Sequence, residues 1–217
     1  FAHLHSLPLS KLKIDRSLIA PLSNSHDDSP IVSSTIILAK RLGLNVPQVT
    51  RLYVPQPVYL IERFDRLPEQ PDWRRLHCID ACQLTGLSRE FKYSAGSVSR
   101  LNAITKLCVP PVKAREALFK WLVFNVLVGN EDAHLKNLSF LVGRKGVALS
   151  PFYDLLCTAV YHTKSMANEQ AVWPDEKLAM PIVGANFFSD VTRPRLIETG
   201  VTLKLGKKTA EREVDAM

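Results

Sequence analysis

The stretch LVGNEDAHLKNLSFLVGRKGVALSPFYDLL, residues 127–156, joins the end of an apolar helix to a polar loop, a hairpin pattern and a second acid. The overlapping run LFKWLVFNVLV, residues 118–128, is apolar on nearly every side, which predicts a helix buried among other elements. After the loop, apolar runs at 138–142 and 147–149 flank a Gly-Arg-Lys-Gly turn, a pattern typical of a β-hairpin. The buried helix and the hairpin would hold the polar loop rigidly between them.

The polar loop places Asp132 and Asn137 at D-x-x-x-x-N spacing, the separation found in the catalytic loop of protein kinases. In that template the aspartate accepts the proton of the substrate hydroxyl and the asparagine holds Mg²⁺. Because the hairpin returns the chain towards the loop, Asp154 is the candidate for the second Mg²⁺ ligand. Asn and Asp also form Asx turns and helix caps, so the spacing alone is a weak signal. The flanking helix, hairpin and acid favour the kinase interpretation.

His134 has two interpretations within this loop. As a candidate catalytic residue it would orient Asp132 or the loop backbone, and the alternative is a structural hydrogen bond. The nearby Lys136 is either a phosphate contact or, as we favour, a solvated loop lysine.

Local signals outside this stretch predict further elements. Ser29, Pro30 and Gly43 mark the start and end of one helix, and Pro110-Pro111 precedes the long helix. The remaining expectations are a strand at 58–61, a loop at 68–75, and helices at about 77–85, 98–107 and 112–128. The end from Lys204 is polar and basic, which predicts that it is frayed or truncated. Cys78 and Cys82 would lie one helical turn apart, and the four cysteines are predicted to be free, buried thiols.

These elements predict an α+β fold that is mostly helical, with a small, incomplete β-containing N-terminal lobe and a helical C-terminal lobe carrying the hairpin. At 217 residues and 46% hydrophobic composition, the chain can bury a sizeable core. No run reaches the roughly 18–20 apolar residues of a membrane span, and the start lacks the pattern of a secretory signal. We therefore expect a soluble, cytoplasmic protein with no membrane partner.

The net charge of +7 and the pI near 9.3 suit a nucleic acid, an acidic protein or the phosphates of a nucleotide as partner. The basic residues occur in short, scattered clusters and form no continuous stripe, which is typical of a solvated surface. Charge therefore leaves direct nucleic-acid binding open.

Several motifs together resemble the HipA family of bacterial serine/threonine kinase toxins. They occur in family order between about Leu38 and Met180, and they are ERFDR (62–66), HCIDACQLTGL (77–87), KYSAG (92–96), LVGNEDAHLKNLSFL (127–141) and LSPFYDLL (149–156). The resemblance implies a protein-kinase-like fold that uses ATP and Mg²⁺. It also implies an adenine hinge at Glu62 and Phe64, a catalytic Asp132, and Mg²⁺ ligands at Asn137 and Asp154. The implied substrate is a serine or threonine of a translation-associated protein, and the implied partner is a DNA-binding antitoxin.

The N-terminal residues depart from this family's pattern. Residues 1–46 resemble a fragment of an EAL-type cyclic-di-GMP phosphodiesterase, in which the lysine of LKID, here Lys13, lies in the active site. The alternative is a divergent HipA-like N-lobe. No glycine precedes Gly43, and the helix predicted to start at Pro30 contains no acid. Lys11 and Lys13 are therefore the only upstream candidates for the nucleotide-binding lysine of an active kinase.

We therefore expect three segments, an N-terminal segment at 1–46, a HipA-like core at 47–180 and a partial C-terminal extension at 181–217. The leading functional hypothesis is a HipA-like serine/threonine kinase. The alternative is a truncated, inactive kinase-like module that binds a protein partner or a nucleotide. A third hypothesis, a basic DNA-binding accessory protein, would show steeply salt-dependent DNA binding.

Overall fold

The computed structural model describes residues 30–53, 57–69, 72–158 and 176–217. These residues form α-helices and small antiparallel sheets, which confirms the predicted α+β class. The helices are α1 (Pro30–Arg41), α2 (Ala81–Leu84), α3 (Val98–Leu107), α4 (Pro111–Leu127), α5 (Arg193–Thr202) and α6 (Lys207–Asp215). The strands are β1 (Val49–Tyr53), β2 (Pro57–Ile61), β3 (Arg66–Glu69), β4 (Asp72–Arg75), β5 (His77–Asp80), β6 (Ser139–Gly143), β7 (Gly146–Leu149), β8 (Lys177–Ile182) and β9 (Ala185–Phe187).

Helix α4 is the centre of the core, as its apolar sequence predicts. Phe119, Trp121 and Phe124 are almost completely buried, and α4 contacts both α3 and α6. Pro111 occupies the first turn of α4, where a missing backbone N–H costs nothing. The predicted helices at 98–107 and 112–128 are confirmed, the second with bounds shifted by one residue at each end.

The predicted hairpin is confirmed as β6 and β7, which pair antiparallel with Gly143 opposite Gly146. A third strand, β5, pairs with β6 on its other edge. The prediction of a helix over 77–85 is therefore wrong for its first half, because Asp80 caps α2 by accepting a hydrogen bond from the Gln83 backbone at 2.8 Å. Cys78 consequently lies on a strand and not one helical turn from Cys82.

The prediction of a loop at 68–75 is also wrong, since β3 and β4 form a second hairpin in this part of the chain. Pro68 pairs with Trp73, and Glu69 lies 3.7 Å from Arg74 across the strands. Nearly every residue of this hairpin is exposed, so its sequence carries no alternation between apolar and polar residues that would reveal a strand. A further unpredicted strand, β1, pairs with the predicted strand β2.

The C-terminal end does not fray after Lys204 as predicted, because α6 packs against α5 and α4. Ala210 is fully buried, and buried Glu213 lies 2.9 Å from the Lys120 ammonium of α4. Arg193 of α5 donates to Asp215 at 2.7 Å. Buried Ala210, the partly buried Val214 and these ion pairs fix a helix whose composition is otherwise polar.

The remaining predictions concern α1, the cysteines and membrane spans. Helix α1 is confirmed over Pro30–Arg41, and Gly43 follows it at φ +77°, a left-handed conformation that favours glycine. None of the four cysteines, all within the described residues, forms a disulfide; Cys82 and Cys108 are buried and the other two are half-buried. Among the described residues, no helix is both long and apolar enough to cross a membrane.

Candidate active site

Two buried asparagines fix the loop between α4 and β6. Asn125, within α4, donates from its side chain to the Trp121 carbonyl at 2.7 Å and accepts from the Asn130 side chain at 2.7 Å. Asn130 also donates to the Asp154 carbonyl at 3.2 Å and accepts from the Asp132 backbone N–H at 3.0 Å. One asparagine side chain therefore ties the backbone of both candidate acids to the core helix.

The loop then turns so that Asp132 faces outwards and Asn137 faces inwards. The Asn137 side-chain N–H donates to the Asp132 carbonyl at 2.6 Å, and Asn137 is only 6% exposed. The Asp132 side chain is 45% exposed. The structure therefore brings together the two residues predicted from their spacing. Asp132 presents an accessible carboxylate, and the buried Asn137 side chain holds its backbone.

Asp154 is brought to the same loop by its neighbour Tyr153. The Tyr153 hydroxyl donates to the Lys136 carbonyl at 2.9 Å and lies 2.6 Å from the Ser139 hydroxyl. Burial raises the pKa of Tyr153 to about 12, so the hydroxyl keeps its proton at neutral pH. Asp154 itself has φ +52°, a left-handed conformation in which Asp and Asn are tolerated better than most residues. The structure thus brings the backbone of Asp154 to the loop that carries Asp132 and Asn137.

Tyr93 is a site residue that the sequence argument missed. Its hydroxyl donates to Oδ1 of Asp132, and its ring lies edge-on to the His134 ring with centroids 4.9 Å apart. Burial raises the pKa of Tyr93 to about 12, and the Asp132 carboxylate adds to the rise. Tyr93 belongs to the KYSAG motif, which supports the family resemblance but does not by itself indicate a role for the tyrosine.

His134 does not hydrogen-bond directly to Asp132. Its Nε2 atom lies 3.6 Å from Asp132 Oδ1, beyond hydrogen-bond length, and 2.9 Å from the Lys92 ammonium. Burial lowers the pKa of His134, Asp132 opposes that change, and the Lys92 charge lowers the pKa further. The imidazole is therefore neutral at pH 7, and the direct hydrogen bond to Asp132 comes from Tyr93.

The candidate adenine hinge lies close to the Asp154 segment through Phe64. The Phe64 and Tyr153 rings stack with centroids 5.9 Å apart and an interplanar angle of 27°. Glu62 is exposed just after β2, where its backbone N–H donates to the Gln48 carbonyl at 2.9 Å. Lys13 lies outside the described residues.

The side chains of Asn137 and Asp154 fit an oxygen-preferring cation such as Mg²⁺. Since the Asn137 amide nitrogen is committed to the Asp132 carbonyl, its amide oxygen is the end left for a metal. No group of three or more His, Cys, Asp and Glu side chains in the described ranges is arranged to hold a metal. An amide oxygen and one carboxylate would suit Mg²⁺, which usually takes its other ligands from phosphates and water.

Residues 32–217 match the family model described as the HipA-like C-terminal domain. The chain belongs to this family. Among HipA-like relatives, it is 35% identical over 144 residues to the serine/threonine-protein kinase toxin HipA of Shewanella oneidensis, over 58% of this chain and 33% of that protein. It is 28% identical over 218 residues to the putative kinase Y4mE of Sinorhizobium fredii, over 97% of this chain and 50% of that protein.

Solved structures confirm the predicted kinase-like fold. A structure of HipA from Shewanella oneidensis MR-1 with HipB and operator DNA matches with a TM-score of 0.71 and 30% identity, over 84% of this chain and 44% of that one. The Helicobacter pylori proinflammatory kinase CtkA matches in fold at a TM-score of 0.50 and 14% identity, over 83% of this chain and 79% of that one. The HipA-like chain thus spans between a third and a half of the length of the relatives HipA and Y4mE.

Proposed function

We propose that this HipA-like chain carries the chemical centre of a serine/threonine protein kinase that transfers the γ-phosphate of ATP to a protein hydroxyl. The observation that carries the proposal is the exposed Asp132 beside the Asp154 segment: Asn130 and Asn137 hold its backbone, and Tyr93 holds its carboxylate. Kinases supply little covalent chemistry of their own, so positioning of this kind accounts for much of their catalysis.

In the proposed reaction, Asp132 accepts a hydrogen bond from the serine or threonine hydroxyl and takes its proton. The hydroxyl oxygen bonds to the γ-phosphorus as the bond from that phosphorus to the bridging oxygen of ADP breaks. The Tyr93 hydroxyl donates a hydrogen bond to Oδ1 of Asp132, so Oδ2 is the oxygen proposed to accept from the substrate hydroxyl. Asn137 and Asp154 would hold Mg²⁺, which neutralises phosphate charge when bound. Phe64, stacked on Tyr153, would line the adenine site beside Glu62, and Lys13 is the proposed nucleotide-binding lysine.

The proposed partners follow from the relatives. HipA of Shewanella oneidensis is known in complex with HipB and operator DNA. We extend this to a DNA-binding antitoxin partner for the present chain and to a translation-associated protein as substrate, both in the cytoplasm, where ATP is available.

The test uses γ-labelled ATP, Mg²⁺ and a mixture of dephosphorylated bacterial proteins as acceptor. The wild type should label serine or threonine, and Asp132→Asn should label about 10²- to 10⁴-fold more slowly while keeping its affinity for Mg·ATP, because only the proton acceptor is lost. Glu198→Gln, which removes an exposed carboxylate from α5, is the matched control and should label normally. Equal labelling by Asp132→Asn and wild type would refute the proposal. Mg·ATP binding without any labelling would favour a nucleotide-binding module instead.

A further inference from the structure

We propose that Lys92 is a further catalytic residue that binds the phosphoryl group in transfer, an inference that rests on the proposed kinase function. Lys92 follows a short 3-10 turn at Arg89–Phe91, and its carbonyl accepts from the Leu135 backbone N–H at 3.1 Å. Its backbone is therefore fixed to the loop that carries Asp132 and Asn137.

The Lys92 ammonium is directed into the site by two uncharged rings. Its Nζ atom lies 2.9 Å from Nε2 of His134 and 4.7 Å from the centroid of the Tyr93 ring. Because an ammonium can only donate, Nε2 of His134 must accept, and the imidazole then carries its proton on Nδ1. That Nδ1 atom is buried and has no hydrogen-bond partner among the described residues. The histidine is therefore held in its neutral form by the lysine.

These contacts leave the ammonium of Lys92 without a direct carboxylate partner among the described residues. Within the described ranges its side chain contacts an imidazole and a phenol ring, and it forms no ion pair with a carboxylate. Nε2 of His134 lies near both charged groups, 2.9 Å from the ammonium and 3.6 Å from the Asp132 carboxylate. The cation is therefore close to the proposed base without a direct ion pair to it.

A cation at this place matches what phosphoryl transfer requires. The acceptor hydroxyl bound to Asp132 must lie roughly 3–3.5 Å from the γ-phosphorus before reaction. The oxygens of the transferring phosphoryl group then lie within the region bounded by Asp132, His134 and Lys92. Positive groups fixed around those oxygens stabilise the charge of the transition state, and one such group accounts for roughly 10²- to 10³-fold in rate.

The decisive variant is Lys92→Gln, whose side chain is one bond shorter, polar and uncharged. Calorimetry would compare Mg·ATP with Mg·ADP, because only ATP contains the phosphoryl group to be transferred. Wild type should bind Mg·ATP more tightly than Mg·ADP. Lys92→Gln should bind ATP about tenfold or more weakly, with its affinity for ADP unchanged. Its rate of phosphoryl transfer should fall about 10²-fold. Lys106→Gln, at an exposed position of α3, should match wild type in all of these.

Lys92→Arg provides a charge-retaining comparison and should keep the preference for ATP. The inference is overturned if Lys92→Gln keeps both the wild-type ATP preference and the wild-type transfer rate, which would leave Lys92 as a structural partner of His134. That result is distinct from failure of the proposed function, in which the wild type itself binds neither nucleotide with Mg²⁺, and which would overturn both claims.

Discussion

Asp132 is held by residues from two separate parts of the chain. Asn130 and Asn137 hold its backbone, whereas Tyr93, 39 residues earlier, holds one carboxylate oxygen. The backbone contacts are local, and the D-x-x-x-x-N spacing was sufficient to predict Asp132 and Asn137. The roles of Tyr93 and Lys92 could not be predicted, because their contacts to the loop cross 39 and 42 residues of sequence.

Removing the Tyr93 hydroxyl tests whether it orients the proposed base. Tyr93→Phe keeps the ring against His134 but loses a hydrogen bond to a carboxylate, a contact worth about 1.5–3 kcal/mol. If that bond positions Asp132 during transfer, kcat should fall roughly 10- to 100-fold while KM and Mg·ATP affinity stay unchanged. Steady-state kinetics and calorimetry provide both readouts. Ser94→Ala removes an exposed hydroxyl from the same segment and should be silent, whereas an unaltered kcat in Tyr93→Phe would show that the hydroxyl has no positioning role.

His134 makes stability depend on pH in a direction that follows from its lowered pKa. Its folded pKa lies below the unfolded value near 6.5, so the unfolded chain binds more protons between those two values. Its contribution to the free energy of unfolding is therefore fully present above about pH 6.5 and is lost as pH falls through the folded pKa. Urea denaturation at pH 7.5 and 5.5 should show less loss on acidification in His134→Gln than in wild type. His77→Gln, at an exposed position of β5, should follow wild type, and an equal acid loss in His134→Gln would contradict the assignment.

Helix α4 and the β6–β7 hairpin were predictable because their signals are local. A long apolar run, Pro111 at the first turn and two glycines in the hairpin turn determine these elements. Strand β5 was not predictable, since HCIDACQL suits a helix unless β6, some sixty residues later, supplies a pairing edge. Helix α6 was missed because its polar composition gave no indication of the buried Ala210 contact.

Asn125 gives α4 a direct role in the site, which can be tested by substitution. Asn125→Leu keeps the branched shape of the side chain, although leucine is larger, and leaves the buried Asn130 amide without its acceptor. We expect the free energy of unfolding to fall by about 1–3 kcal/mol and Mg·ATP binding to weaken, because Asn130 positions both Asp132 and Asp154. Urea denaturation and calorimetry would measure the two effects. The control is Asn102→Leu on α3, where the side-chain oxygen is buried with no partner in the described ranges and little loss is expected.

The C-terminal helices form part of the same core as the site. Gly200 of α5 lies so close to its neighbours that an added Cβ would be 2.7 Å from Ala210 Cβ and 2.8 Å from Phe119 Cζ. Gly200→Ala should therefore lower the free energy of unfolding by about 1–3 kcal/mol despite the better helix propensity of alanine. At Gly143 an added Cβ would meet no atom within 4 Å, so Gly143→Ala should change stability little. Thermal unfolding of both variants tests this packing, and a Gly200→Ala protein as stable as wild type would contradict it.

Membership in the HipA-like C-terminal family establishes the fold of the molecule, and the proposed phosphoryl transfer depends on the site. The chain covers 33% of HipA and 50% of Y4mE, so activity, substrate and partner are properties to be measured on this protein itself. The Asp132, Asn137 and Asp154 constellation is the common requirement of every step proposed for it.

Calorimetric titration with ATP, in the presence and absence of Mg²⁺, tests that constellation most directly. The comparison is between wild type and Asp154→Asn, because asparagine tolerates the left-handed backbone at this position but has no carboxylate for the metal. We expect ATP binding by wild type that depends on Mg²⁺ and a loss of that dependence in Asp154→Asn. ATP binding that is equal in both proteins and indifferent to Mg²⁺, or absent from the wild type, would contradict the assignment of this loop as a phosphoryl-transfer centre.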